Sequence, residues 1–218
     1  MRRYTAIKWD WKMSSKDTIN MIFAMGLSNW WLEDLSEEER HLVLETYKPL
    51  SVSFGTSSNN DTSISAGVYS GTGLSFLTNL ATWFDKPKKR TFAIKILCKA
   101  ESLIDDSSKP IDVHLFYGIK IKILYKERDS IPTAFQEVLD ACRNQINYAR
   151  TVIPYFRATV CPELPSHPGY KQLSIIMEKQ KKYAEVIELC KAAKRDGWFG
   201  DWQKRIERCE KKSGITKR

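Results

Sequence analysis

The fold of this chain is decided by the stretch YKQLSIIMEKQKKYAEVIELCKAA, residues 170–193. Its bulky residues recur at three- and four-residue spacing, which is typical of amphipathic helices. We expect two helices here, covering about 169–180 and 182–196. Small residues on one helix would admit the bulky residues of its neighbour, so the pair would pack antiparallel with few voids.

The chain continues from this pair into one more predicted helix. A Gly197-to-Gly200 turn leads into residues 200–213, where Trp202, Ile206 and Cys209 share one face. A stack of helix pairs needs a terminal helix that shields its last apolar face. Residues 200–213 therefore read as a capping helix.

A weaker copy of the pattern lies upstream, at about 111–148, and a proline-marked gap from Pro154 through Pro168 separates the two copies. Within it, Ile119 to Ile123 alternates as a strand would, but the length of 111–127 and the proline before it favour a helix. The matching positions are Tyr117, Gly118 and Ile121 on the first helix and Ala134, Val138 and Ala141 on the second.

Residues 170–193 resemble a tetratricopeptide repeat, a 34-residue helix-turn-helix unit. The resemblance is carried by Tyr170, Leu173, Ser174, Met177, Tyr183, Val186, Cys190, Ala193 and Trp198. The sequence departs from the repeat where Ser174 replaces glycine, Val186 a small residue, Cys190 an aromatic residue and Trp198 a proline. The resemblance covers about 111–213 and is strong only in the last repeat; a plain bundle of amphipathic helices is the alternative.

Tetratricopeptide proteins bind peptides or proteins in a concave groove that their first helices line, so the resemblance implies such a groove here. The Lys and Asn set that clamps a terminal carboxylate in that family is missing, so carboxylate capture is not implied. A mixed apolar and basic groove suits an amphipathic or acidic segment. The candidate groove residues are Lys171, Ile175 and Glu178 in the last repeat and Leu115, Ile119 and Lys122 in the upstream one.

The N-terminal third differs in kind, and we divide the chain into 1–72 and a helical domain at 73–218 with its capping helix. Ser36 and Glu39 form a capping box that opens a helix. Residues 50–70 alternate small polar and apolar residues around a turn-rich centre, which indicates either a β-hairpin or a loop. Trp30 and Trp31 are candidate surface anchors, because adjacent tryptophans on a short turn do not easily point at one core; packing of both in the core is the alternative.

The charge of the chain raises a second class of function. The 218 residues carry a formal net charge of +9, and from 171 to 218 there are 14 Lys and Arg against seven acids. Lys204, Arg205 and Arg208 are the candidates for nucleic-acid contacts, although the basic residues interleave with acids as on a solvated helix face.

Composition points to a soluble cytoplasmic protein. No apolar run approaches the roughly 20 residues that a membrane span needs, and the first residues do not form a secretory signal. The five cysteines include no CxxC pair and are odd in number, which is typical of reduced thiols in the cytosol.

We do not expect an enzyme. The histidines at 41, 114 and 167 are scattered, and no nucleophile elbow, phosphate-binding loop or metal-ligand spacing is present, so we expect no cofactor and no metal. The sequence predicts a mainly α, non-catalytic binding module or adaptor for a protein or peptide. A nucleic-acid-binding protein is the alternative, and self-association through an edge of the helical stack is a third reading.

Overall fold

The structure is a computed structural model that describes residues 15–48, 71–159 and 163–214. In these ranges the chain forms ten α-helices, one π-helix and a two-stranded sheet, so the expected mainly α fold is confirmed. The hairpin or loop expected near residues 50–70 lies outside the described residues. The chain divides into two compact units, Met1–Phe76 and Leu77–Arg218.

In the N-terminal unit the described elements are α1 (Ser15–Ala24), the π-helix (Trp30–Asp34) and α2 (Glu37–Thr46). The predicted capping box is present. The Oγ of Ser36 accepts from the Glu39 N–H at 3.2 Å, and the Ser36 N–H donates to the Glu39 carboxylate at 2.9 Å. The Arg40 guanidinium donates to backbone carbonyls at the end of the π-helix, among them that of Leu35 at 2.7 Å.

Trp30 and Trp31 are buried in this unit, with 2% and 4% of their surfaces exposed, so the surface-anchor hypothesis is wrong. Their ring centroids lie 6.4 Å apart. The π-helix explains why both fit: its wider i→i+5 turn brings adjacent side chains closer to one face than an α-helix does.

The remaining elements follow in chain order. They are α3 (Gly73–Trp83), α4 (Arg90–Glu101), α5 (Pro110–Lys126), α6 (Ala134–Asn147), α7 (Ala149–Thr159), β1 (Leu164–Ser166), α8 (Pro168–Lys179), α9 (Tyr183–Asp196), β2 (Trp198–Phe199) and α10 (Trp202–Ser213). The ambiguous stretch 111–127 is therefore helical.

The helices of the second unit pack in a regular succession. Helix α5 contacts α6, α6 contacts α8, α8 contacts α9, and α9 contacts α10, while α5 also touches α8. Three residues join α8 to α9, so the chain reverses direction between them. The pairs α5/α6 and α8/α9 followed by α10 have the order that the sequence predicts for 111–213.

Helix α7 is an element that the sequence did not predict. The expected proline-marked gap begins instead inside a helix, because Pro154 is part of α7. A proline at this position removes one backbone hydrogen bond and crowds the preceding turn. Burial offsets that cost: Val152 and Phe156 are 0% and 7% exposed, and α7 packs on α5.

Candidate functional site

A groove of about 960 Å³ lies along α5 and the start of α8. Most of its lining is apolar, and it includes Leu115 and Ile119 of α5, Phe199 of β2, and the lysines at 122, 126 and 171. Leu115 is 51% exposed and Phe199 is 69% exposed. Large apolar side chains that are open to water beside one cavity mark a candidate binding surface.

Phe199 lies at this groove because β1 and β2, which are far apart in the sequence, pair with each other. In the two-stranded parallel sheet, Leu164 lies opposite Trp198 and Ser166 opposite Phe199. Gly197 ends α9 in the left-handed region, at φ 90°, and thereby turns the chain into β2. The segment that precedes α8 and the segment that precedes α10 consequently both contribute to the groove.

A cluster of buried rings lies at the floor of the groove. The His114 ring is stacked on Trp198, with centroids 5.4 Å apart and an angle of 6°, and it meets Phe156 edge-on at 5.4 Å. His167 lies edge-on to His114 at 4.9 Å. The two histidines are 3% and 0% exposed.

One hydrogen bond to the His167 ring fixes its tautomer. Its Nδ1 accepts from the N–H of Tyr170 at 3.2 Å and thus caps α8, so the proton of the neutral ring is on Nε2. Within the described residues, His167 Nε2 and His114 Nδ1 have no hydrogen-bond partner.

Burial keeps both imidazoles neutral. It lowers the pKa of His114 to about 4. Burial also lowers the pKa of His167 to about 3, and the neighbouring His114 adds to that effect. At neutral pH both rings therefore belong to the uncharged floor of the groove.

Gln145 holds the three helices around the groove together, and sequence reasoning missed it. Its Nε2 donates to the carbonyl of His114 at 2.8 Å, and its Oε1 accepts from the N–H of Gly169 at 2.7 Å. It is 0% exposed. The signal was available: a polar residue at 145 follows Val138 and Ala141 at the spacing of the buried face of α6.

The glycine at this junction is required by close approach. A Cβ on Gly169 would lie 2.9 Å from both the Cys142 carbonyl oxygen and Gln145 Oε1, so no larger residue fits without a shift. Gly118 of α5 is less crowded, since a Cβ there would meet side-chain atoms of Gln145 and Pro168 at 3.2 and 3.3 Å. These glycines let α5, α6 and α8 meet beneath the groove.

The charged rim of the groove is mainly basic. Lys126 pairs with Asp85 at 2.5 Å, and Lys122 lies 3.9 Å from the same carboxylate. Lys171 has no ion pair among the described residues. Glu163 is the one acidic residue among the described residues of the lining. The described side chains of the rim therefore carry more positive than negative charge.

Four of the six candidate groove residues come together in this groove: Leu115, Ile119, Lys122 and Lys171. Ile175 is half-buried and lies outside the lining.

Glu178 also lies outside the lining of the groove, because α10 binds its carboxylate. The carboxylate is 2.7 Å from Arg208 and 2.9 Å from Lys212. The hydrogen bond from Arg208, together with that from Lys212, outweighs burial and lowers the Glu178 pKa to about 2. Glu178 is thus a fixed link between α8 and α10.

The three candidates for nucleic-acid contacts do not form an open basic patch. Arg205 is 6% exposed and faces the carboxylates of Asp201 and Glu178, and Arg208 is bound to Glu178. Lys204 alone of the three is exposed without an ion pair to a described residue. Arg205, one of the candidates for nucleic-acid contacts, is therefore a buried and ion-paired cation.

Two further observations concern metal ligands and membrane-spanning helices among the described residues. Within residues 15–48, 71–159 and 163–214, no three His, Cys, Asp or Glu side chains lie close enough together to hold a metal ion. In the same ranges no helix combines the length and the apolar character that a bilayer crossing needs.

Comparison with protein-family models, with curated proteins and with solved structures gave no match to this chain. The resemblance to a tetratricopeptide repeat thus rests on the residues of 111–213 alone, and the site has to be interpreted from its own geometry.

Proposed function

We propose that this protein is a non-catalytic binding module whose groove along α5 and α8 takes an amphipathic, acidic segment of a partner protein. The observation that carries the proposal is the joint exposure of Leu115 and Phe199 beside one apolar groove with lysines at its rim. The apolar side chains would contact the apolar face of the segment, and the lysines its carboxylates.

The magnitudes are consistent with a binding surface of moderate affinity. Complete burial of a Leu or Phe side chain contributes about 1.5–3 kcal/mol each. A flexible segment loses conformational entropy when it binds, which removes part of that gain. The lysines would speed association and select against basic segments more than they would raise affinity.

The resemblance to tetratricopeptide proteins supports the same surface. In that family the first helix of each pair lines the groove, and here α5 and α8 are the first helices of the two matched pairs. The segments between the helix pairs differ from those of a tetratricopeptide repeat, because β1, β2 and α7 also line the groove. They do so through Leu164, Phe199 and Phe156.

The test is selection of 12-residue peptides from a random displayed library on the full chain, followed by fluorescence anisotropy with the enriched peptides. We expect acidic, amphipathic sequences. Leu115→Ser and Phe199→Ser should each weaken binding by about ten-fold or more, which corresponds to the loss of one buried apolar contact. Leu32→Ser is the matched control, since Leu32 is 59% exposed but belongs to the N-terminal unit.

Two results would overturn the proposal. One is a library that yields no binder or only binders with basic sequences. The other is a peptide whose affinity is the same for the wild type and for both groove variants. Binding of DNA or RNA that falls steeply with salt, and that the Lys204→Glu variant loses, would favour the nucleic-acid alternative.

A further inference from the structure

A second cavity, of about 530 Å³, adjoins the groove and shares Ser166, Lys171 and Phe199 with it. Its other side is formed by the first turn of α10, where Lys204 and Arg205 line it. We refer to this second cavity as the basic corner. It differs from the groove in that two cations of α10, Lys204 and Arg205, line it beside the apolar side chains of Phe199 and Trp202.

The first turn of α10 lacks the side-chain cap that its sequence would supply. Asp201 is the N-cap residue, and aspartate is among the best N-caps, but its side chain accepts no capping hydrogen bond. The Asp201 carboxylate is directed instead to Arg205 Nη2, at 3.3 and 3.4 Å. The N–H groups at the start of this 12-residue helix thus have no side-chain acceptor among the described residues, and the helix dipole makes that end positive.

A separate observation concerns the buried guanidinium of Arg205, whose contacts are long. Its side chain is 8% exposed, and its Nε has no acceptor among the described residues. Its contacts with Asp201 and Glu178 are 3.3 and 3.4 Å long, whereas charge-assisted hydrogen bonds are usually about 2.7–2.9 Å. Glu178 is held at such short distances by Arg208 and Lys212 instead. An anion in the basic corner would give the Arg205 guanidinium a closer acceptor than these two carboxylates.

Two exposed lysines from different helices complete the corner. Lys171 of α8 and Lys204 of α10 both line it, and neither has an ion pair with a described residue. The Ser166 hydroxyl adds a neutral donor. The Asp201 carboxylate also lines the corner, and its charge is opposed by the guanidinium that it faces.

We infer that the basic corner binds an anionic group, a carboxylate or a phosphate monoester, on the segment whose apolar face occupies the groove. This inference rests on the proposed function, since the corner and the groove share three lining residues and would be filled by one ligand. Helix N-termini with adjacent cations are sites where such oxyanions bind in proteins.

The experiment uses inorganic phosphate and, separately, acetate as probes, titrated into the ¹⁵N-labelled full chain at constant ionic strength. We expect saturable shifts of the backbone amide signals of Gln203 and Lys204 with at least one probe. Lys204→Gln should weaken that affinity about two- to five-fold, as expected for loss of one exposed charged contact. Lys211→Gln, in the last turn of the same helix and outside both cavities, is the matched control and should bind like the wild type.

The outcomes separate this inference from the proposed function. A response to phosphate alone supports a phosphorylated segment, and a response to acetate supports an acidic one. No saturable shift with either probe, or equal affinity of Lys204→Gln and the wild type, would overturn the inference. Because the probes do not occupy the apolar groove, Leu115→Ser should leave their affinity unchanged. If Leu115→Ser loses peptide binding and neither ion binds the wild type, the proposed function is supported and only the inference about the basic corner is refuted.

Discussion

Because two histidines are buried, we expect the free energy of unfolding to fall steeply in mild acid. Because His114 and His167 are neutral in the folded protein, with pKa values of about 4 and about 3, they take up protons below pH 6.5 only when the chain unfolds. The stability that depends on their neutrality is complete above pH 6.5 and is lost as the pH falls toward 4.

The magnitude follows from the size of the window. Each pH unit below the ordinary histidine pKa of about 6.5 costs the folded state about 1.4 kcal/mol per buried neutral histidine. At pH 5 both rings remain neutral in the folded protein, so each contributes a loss of roughly 2 kcal/mol and the pair roughly 4 kcal/mol. Total stabilities of about 5–15 kcal/mol are usual for domains, so this loss is large.

The assay is urea unfolding at pH 7 and at pH 5. Unfolding is monitored by pulsed hydrogen exchange in peptides from α5 and α8, because these helices belong to the unit that contains the two histidines. We expect the free energy of unfolding to be about 4 kcal/mol lower at pH 5. His114→Gln should remove about half of that difference, whatever it does to stability at pH 7. The exposed His41, in the other unit, is the control position, and His41→Gln should leave the difference unchanged.

The reasoning would be refuted if the free energy of unfolding changed by less than about 1 kcal/mol between pH 7 and pH 5. It would equally be refuted if the His114→Gln, His167→Gln double variant kept the full difference. Glu178 does not confuse the measurement: its pKa is lowered to about 2, so its stabilising effect is present above pH 4.5 and is lost only below that value.

Three further predictions concern the junction beneath the groove and its link to α10. Gln145→Leu leaves the buried Gly169 N–H without its acceptor and removes a second donor to the His114 carbonyl, and it should destabilise the protein by roughly 1–3 kcal/mol in urea unfolding. Gly169→Ala should cost roughly 1–3 kcal/mol by the same assay, since its Cβ would press on backbone at Cys142, whereas Gly118→Ala should cost less because it meets movable side chains. Glu178→Gln should cost roughly 1–3 kcal/mol, because it removes the carboxylate shared by the cations of α10.

The Gln145 and Glu178 variants each have a matched control on the surface. Gln136→Leu, on the exposed side of α6, and Glu188→Gln, whose carboxylate pairs only with Lys191 among the described residues, should each change stability by less than about 0.5 kcal/mol. A Gln145 or Glu178 variant that is as stable as its counterpart would show that the contact contributes little. Equal costs for the two glycine variants would show that backbone crowding is not the cause.

The helices were predictable wherever one apolar face persists. In α3, Leu74, Leu77, Leu80 and Ala81 recur at three- and four-residue spacing, and all four are buried. The stretch around Ile121 and Ile123 was ambiguous because α5 is contacted on several sides, by α4, α6, α7 and α8. Burial on several sides erases the helical period and leaves an alternation that looks like a strand.

The missed elements depend on contacts that no local pattern encodes. Pro154 argues against a helix by itself, and α7 is stabilised by its packing on α5, α6 and β1. The candidate groove residues Leu115, Ile119, Lys122 and Lys171 could be found from helix register alone. Phe199 could not, since its position depends on pairing between β1 and β2, which lie far apart in the sequence.

The two-stranded pairing also limits how this protein could be shortened or extended. Stacks of helix pairs can usually lose or duplicate a unit at a boundary, because each unit contacts only its neighbours. Here Trp198 and Phe199 precede the last helix, yet Trp198 stacks on His114 of α5 and Phe199 lines the groove along α5. A truncation before residue 197 would therefore remove a wall of the groove as well as the end of the stack. An additional helix pair could be inserted after α9 only by moving Phe199 away from the groove.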